Sequence, residues 1–192
     1  RMAYRRSARE KAGARNQGRE AACKVLRRKG EVGKEMKFVA VGGDGGTYDI
    51  GLQSLSGALE RGHDFTYICY NNQGYMNTGA QRSSATPQSA NATTSPAGKV
   101  MPGKLQRAKD LTEIVAAHEI PYVAQTTLHN PLDLITKAKR AVETPGPAFV
   151  NVLVPRPPFW KIDPTRPPSQ CPLPAPRNTC PVHEWGAGQT TP

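Results

Sequence analysis

FVAVGGDGGTYDIG, residues 38–51, is the stretch whose reading decides the fold. Its first four residues form a continuous apolar run that ends in glycines, the pattern of a strand buried on both faces. Asp49 is a predicted N-cap for a helix reaching about residue 61, with Leu52, Leu55 and Leu59 on one face. Gly62 stops that helix. A second apolar run at residues 65–70 closes at Asn71-Asn72. Strand, glycine turn, helix and strand make one βαβ unit, and a right-handed crossover brings the second strand back parallel to the first. Asp44 and Asn72, 28 positions apart, are therefore expected together at the carboxyl edge, where open α/β sheets bind ligands.

Downstream, residues 73–104 are rich in Gly, Ser, Thr, Asn and Pro, and a loop of that length in a compact domain is functional or disordered. Regularity resumes at Asp110, a predicted N-cap, followed by Leu111, Ile114, Val115 and His118 at helical spacing. Strands are predicted at 121–127 and 148–154, and between them Pro131 opens a helix striped by Leu132, Ile135, Ala138 and Val142. Upstream, residues 17–29 read as a helix with Ala22, Cys23, Val25 and Leu26 on one side. The alternation implies an α/β fold, a mostly parallel sheet with helices on both faces. The expected organisation is a basic, disordered leader at 1–18, one domain at 19–163, and an unstructured Pro-rich tail at 164–192.

The net charge of +11 is uneven: residues 1–37 hold 13 Lys or Arg against 4 Glu, a local +9, which leaves +2 for the remainder. That places the charge on a leader and not on a basic face of the domain. A nucleic-acid binder is carried as a rival class, because clustered cations are attracted to phosphate at low salt. No run approaches the ~20 apolar residues that span a bilayer, and no apolar segment follows the first arginines as in a secretory signal. Cys23 and Cys69 sit in periodic segments and read as buried thiols, Cys171 and Cys180 lie in the tail, and no CxxC occurs. A cytoplasmic location is the default expectation.

The residue types at the two strand tips suit an anion with a hard cation. Gly43, Gly45 and Gly46 allow backbone N–H groups to approach phosphate oxygens, and the following helix adds its positive end. Asp44 offers a carboxylate and Asn72 an amide oxygen, both ligands for octahedral Mg²⁺. Neither a GK[ST] loop nor GxGxxG is present, which excludes a Walker-type site and argues against a Rossmann one. The competing reading of GDGG and Asn71-Asn72 is a pair of tight turns.

GDG followed by NN resembles the signature of thiamine-diphosphate enzymes. The longer run through YMNTGAQRSSATP (75–87), TSPAGKVMPGK (94–104), KDLTEIVAAHEIPYVAQ (109–125) and GPAFVNVLVP (146–155) resembles the β subunits of pyruvate:ferredoxin oxidoreductases, within the 2-oxoacid:ferredoxin oxidoreductase family. The resemblance covers roughly residues 37–163, in a form like the pyruvate branch. It implies a thiamine-diphosphate-binding fold in truncated form, with Mg²⁺ held by Asp44, Asn72 and the carbonyl of Gly74. It also implies Gly43, Gly45 and Gly46 along the diphosphate, Asn77 at the reactive end of the cofactor as the catalytic residue, and Thr78 and Gly79 beside it. The implied reaction converts pyruvate and coenzyme A to acetyl-CoA and CO₂ with reduction of ferredoxin, in a complex with α-, γ- and δ-type subunits. No membrane partner is expected, and nucleic acid enters only in the rival reading.

Three departures stand against it. The family's iron–sulfur cysteines have no counterpart: in VLVPRPPFW, residues 152–160, Arg156 occupies the place of a cluster-ligating cysteine. The terminal segments match nothing in the family. The glutamate that activates the cofactor belongs to another domain or subunit, so the chain is expected to be inert alone. A non-redox thiamine enzyme or an inactive cofactor-binding remnant is the resulting alternative. Among the histidines, His63 is read as a surface or capping residue and His118 as half-buried and satisfied. His129 is read as a loop residue that could near substrate, and His183 as part of the tail.

Overall fold

Strands with no polar face have to be covered on both sides. In chain order the elements are β1 (Ala3–Tyr4), α1 (Ala12–Arg28), β2 (Phe38–Gly43), a π-helical turn (Gly45–Ile50), α2 (Leu52–Glu60), β3 (Thr66–Asn71), α3 (Leu111–Ala116), β4 (Tyr122–Thr127), α4 (Pro131–Glu143), β5 (Ala148–Leu153), β6 (Glu184–Gly186) and β7 (Gln189–Thr191). The computed structural model describes residues 3–4, 12–33, 36–156, 160, 165, 184–186 and 189–191. The sheet runs β1-β2-β3-β5-β4-β6-β7, parallel from β1 through β4, with β6 and β7 added antiparallel at the far edge. Every residue of β4 and β5 is buried, as a sheet with two covered faces requires.

The period of two along the strands divides the core. Tyr67, Cys69, Val123 and Phe149 point into one cluster with Leu55, Leu59, Leu111 and Val115 of α2 and α3, and Tyr67 stacks on Phe149 with centroids 6.0 Å apart. Ile68, Ala124, Val150 and Val152 point the other way, against Leu134 and Ala141 of α4. The register Gly43↔Tyr70 then brings the ends of β2 and β3 level, which places the residues after them side by side.

The four predicted strands and the caps at Asp110 and Asn130-Pro131 are found: Asp110 accepts from the Glu113 N–H at 3.1 Å, and Asn130 from the Asp133 N–H at 3.2 Å. Four expectations need correction. Asp49 does not cap α2, because the chain turns helical immediately after Asp44 and Asp49 lies inside that first turn. Residues 12–18, assigned to a disordered leader, are the start of α1, and residues 3–4 pair with β2. The buried stripe of α1 is Ala12, Gly13, Asn16 and Glu20, whereas Val25 is exposed. Small residues allow that close approach: a Cβ at Gly13 would lie 3.3 Å from the Leu55 Cα. In the tail, β6 pairs with β4, and Glu184 accepts from Arg140 at 2.9 Å and 3.0 Å.

Three sequence readings fall on other residues: Cys171, Cys180 and His183 lie outside the described ones. His118 is half-buried and bonded to Ser56 Oγ (2.8 Å) and the Ile114 carbonyl (2.9 Å). His63 is half-buried, and its Nδ1 lies 2.8 Å from Glu20 Oε2. His129 is exposed. Cys69 is fully buried and Cys23 half-buried.

Candidate functional site: a carboxylate, an amide and a carbonyl at the sheet edge

β2 ends at Gly43 and the chain turns at once into the π-helical turn, so Asp44 stands at a strand tip and a helix start together. Glycine is required here by crowding. A Cβ at Gly45 would enter the Tyr75 ring, and that ring's hydroxyl donates to the Gly45 carbonyl at 2.8 Å. Asp44 itself is 1% exposed. Burial pushes its carboxyl up to about 6, although Ser83 and the Asn72 backbone N–H both bond to it and pull the other way. Ser83 Oγ donates to Oδ2 at 2.5 Å. Oδ1 points to the tip of β3.

There the Asn72 side chain lies 2.8 Å from Asp44 Oδ1 and 2.8 Å from the Gly74 carbonyl. The amide oxygen faces both of these acceptors, so three oxygens from Asp44, Asn72 and Gly74 converge; a half-turn of the amide would turn its nitrogen toward them and let it donate to both. The two 2.8 Å separations from Asn72 match the edge of a six-coordinate Mg²⁺ shell, about 2.9 Å for Mg–O bonds of about 2.0–2.1 Å. The donor set, one carboxylate and two neutral oxygens, suits a hard dication that keeps room for phosphate oxygens and water. Among the described residues no group of three or more His, Cys, Asp and Glu forms a softer metal site. The residues present fit Mg²⁺.

Gly43, Gly45 and Gly46 border this corner at the start of the helical turn, which begins at Gly45 and so lies nearer the corner than a helix starting at Ile50. Asn77, Thr78 and Gly79 are exposed on the loop after β3; Thr78 Oγ1 donates to Gln81 Oε1 at 2.6 Å. An open cleft of about 560 Å³ adjoins the corner, lined among others by Asp49, Tyr75, Thr78, Arg82, Ser84 and Thr94. Asn77 is not part of its lining. Sequence reasoning missed Ser83 and Tyr75. Ser83 reaches Asp44 from 39 residues away, and Tyr75 donates to both Gly45 O and Asp49 Oδ2. Trp160 Nε1 donates to the Asn72 carbonyl at 3.2 Å. Only the polar composition of the loop hinted at the first two.

An open parallel sheet with an acid and an amide meeting at successive strand tips places these groups at the carboxyl edge where α/β domains bind their ligands. The chain belongs to the thiamine pyrophosphate enzymes: residues 21–152 match the C-terminal TPP binding domain of that family. It is 49% identical over 162 residues to the pyruvate synthase subunit PorB of Thermotoga maritima, covering 83% of this chain and 50% of that one. It is 53% identical to PorB of Pyrococcus furiosus over 152 residues, 79% of this chain and 44% of that one. It is also 48% identical to the ketoisovalerate oxidoreductase subunit VorB of Pyrococcus abyssi, over 79% of this chain and 49% of that one. The chain thus spans about half the length of the curated relatives it matches. Among solved structures, a 2-oxoglutarate:ferredoxin oxidoreductase from Magnetococcus marinus, determined with 2-oxoglutarate, coenzyme A and succinyl-CoA bound, superposes with a TM-score of 0.64 and 25% identity, covering 78% of this chain and 46% of that one.

Proposed function

We infer that the chain supplies the thiamine-diphosphate and Mg²⁺ anchor of a 2-oxoacid:ferredoxin oxidoreductase of the pyruvate type. The observation that carries this is the Asn72 side chain lying 2.8 Å from both Asp44 Oδ1 and the Gly74 carbonyl. In this reading those three groups hold Mg²⁺, and the backbone at Gly43, Gly45 and Gly46 takes the diphosphate oxygens. Thiamine diphosphate, when bound, supplies the electron sink for decarboxylation of the 2-oxoacid. The loop at Asn77, Thr78 and Gly79 borders the reactive end, with Asn77 the assigned catalytic residue. Arg82, a cationic member of the adjoining cleft, suits an anionic 2-oxoacid.

Coenzyme A and ferredoxin complete the reaction, and α-, γ- and δ-type subunits complete the enzyme, in the cytoplasm. Among the described residues no helix is long and apolar enough to cross a membrane. Reconstitution with those subunits, thiamine diphosphate, Mg²⁺ and coenzyme A is expected to give pyruvate-dependent reduction of a low-potential dye. A complex that binds the cofactor but reduces no dye with any 2-oxoacid sinks this reading. Pyruvate-type and branched-chain relatives are similarly identical to the chain, so the assay compares pyruvate with ketoisovalerate.

Arg156 favours a second reading, a cofactor-binding part that carries no electrons itself. It is exposed just beyond β5, and the described cysteines do not fit a cluster, since Cys69 is fully buried and Cys23 lies on α1. Iron analysis decides: a stoichiometric cluster on this chain overturns that reading.

A further inference from the structure

The metal corner is assembled from two tips that are not bonded neighbours in sequence, and its precision depends on what holds them at a fixed separation. β2 delivers Asp44, and the turn after β3 delivers Asn72 and Gly74. Between Asn72 and Gly74 stands Gln73, with φ of 66°, a left-handed conformation that a non-glycine residue adopts only when its surroundings hold it there. Both polar groups of its backbone are held. Its N–H donates to Asn71 Oδ1 at 3.0 Å, and its carbonyl accepts from Thr86 Oγ1 at 2.5 Å.

Thr86 is also bonded toward the other tip. Its Oγ1 accepts from the Ser83 N–H at 2.9 Å, and Ser83 Oγ donates to Asp44 Oδ2 at 2.5 Å. The path Asp44–Ser83–Thr86–Gln73 therefore crosses from one half of the corner to the other through two hydroxyl residues that are 2% and 0% exposed. The turn that carries them is anchored from below. Lys104, 2% exposed, places its ammonium among backbone carbonyls, donating to Thr86 O at 2.5 Å, Ser84 O at 3.2 Å and Arg107 O at 3.4 Å. Those three carbonyl contacts make Lys104 a clamp on the loop.

We propose that Ser83 and Thr86 are positioning residues that set the spacing of the Mg²⁺ corner, and that their hydroxyl path makes the corner selective for a small octahedral cation. Neither residue touches the ion. Ser83 fixes Asp44 by its outer oxygen and leaves Oδ1 facing the ion. Thr86 fixes the Gln73 carbonyl, and with it the aim of the next carbonyl, that of Gly74. Mg²⁺ requires near-ideal octahedral geometry at about 2.0–2.1 Å, whereas Ca²⁺ accepts looser shells at about 2.3–2.6 Å. A corner released from this path loses Mg²⁺ before it loses Ca²⁺.

The inference rests on the corner binding a dication with thiamine diphosphate. Its test is calorimetric titration of Mg²⁺ and of Ca²⁺ into the full chain with saturating thiamine diphosphate, for wild type, Asp44→Ala, Ser83→Ala, Thr86→Val and Thr86→Ser. No Mg²⁺ binding by wild type, or undiminished binding by Asp44→Ala, overturns the underlying reading. With that control in place, Ser83→Ala and Thr86→Val are each expected to weaken Mg²⁺ about 10–100-fold, the range for groups that orient a metal ligand. Ca²⁺ is expected to weaken less, so the Mg²⁺/Ca²⁺ ratio falls. Thr86→Ser, which restores the hydroxyl, is expected to restore the ratio. General loosening of the fold lowers both ions together, and an unchanged ratio in Ser83→Ala and Thr86→Val overturns the proposal. If Thr86→Val does not fold, Ser83→Ala decides by the same ratio.

Discussion

Asp44 and Glu20 are the two carboxylates buried among the described residues, 1% and 3% exposed, and their surroundings act on them in opposite directions. Both lose solvation. At Glu20 that loss is outweighed by Lys24 at 2.5 Å and His63 at 2.8 Å, and the carboxyl ends below its ordinary value. At Asp44 the bonded neighbours are a hydroxyl and a backbone N–H, both neutral, while Asp49 nearby adds repulsion, and the carboxyl rises to about 6. Among the described residues Asp44 is in no ion pair. Glu20 is a completed structural contact between α1 and the turn before β3. Asp44 has no such partner among the described residues, and the dication proposed for the corner with Asn72 and Gly74 would supply its complement.

The comparison breaks first at Asp44. Asp44→Asn is expected to weaken Mg²⁺–thiamine diphosphate binding by more than about 100-fold, beyond the usual cost of losing a group that merely orients a ligand. Glu20→Gln is expected to leave that affinity unchanged, and titration calorimetry on both variants checks the pair. Next come opposite pH dependences in the cofactor-free chain. A carboxyl raised from 3.8 to about 6 binds its proton more tightly when folded, so its contribution to stability is fully present below pH 3.8 and is lost as pH rises through about 6. The decline is at most about 3 kcal/mol. Glu20 is lowered, so its contribution is present above 4.5 and is lost as pH falls through its folded value. Urea unfolding across pH 3–7 is expected to show the Asp44 slope vanish in Asp44→Asn and the Glu20 slope vanish in Glu20→Gln. At neutral pH Glu20→Gln is expected to destabilise by about 1.5–3 kcal/mol, as for loss of charged hydrogen bonds at a buried site. The smallest effect belongs to the Arg140–Glu184 pair, where the Arg140 side chain is 60% exposed: Arg140→Gln should change urea stability least of these variants, and added salt should mask the change.

The same contrast separates what could be read in the sequence from what could not. The four core strands were legible because continuous apolar runs have one use in a covered sheet, and Asp44 with Asn72 because one βαβ unit brings their positions together. The buried face of α1 was not legible, since Ala12, Gly13, Asn16 and Glu20 pack by smallness and charge pairing and leave no apolar period. Asp49 looked like a cap because its position before Leu52 fits one; the π-helical turn carried it past that role, to accept bonds from Tyr75 and Ser84. Ser83 and Thr86 were hidden for a related reason. Hydroxyls in a long polar loop are uninformative until the loop's path, set by Lys104 and by bridges such as Tyr75↔Gln81, is known. β6 and β7 are three residues each, too short to register as periodic.

Electron paramagnetic resonance with Mn²⁺ in place of Mg²⁺ tests the central claim most directly. The chain with thiamine diphosphate is predicted to hold a single tightly bound Mn²⁺ that requires the cofactor and is absent from Asp44→Asn. An equally tight Mn²⁺ signal in Asp44→Asn would contradict the account.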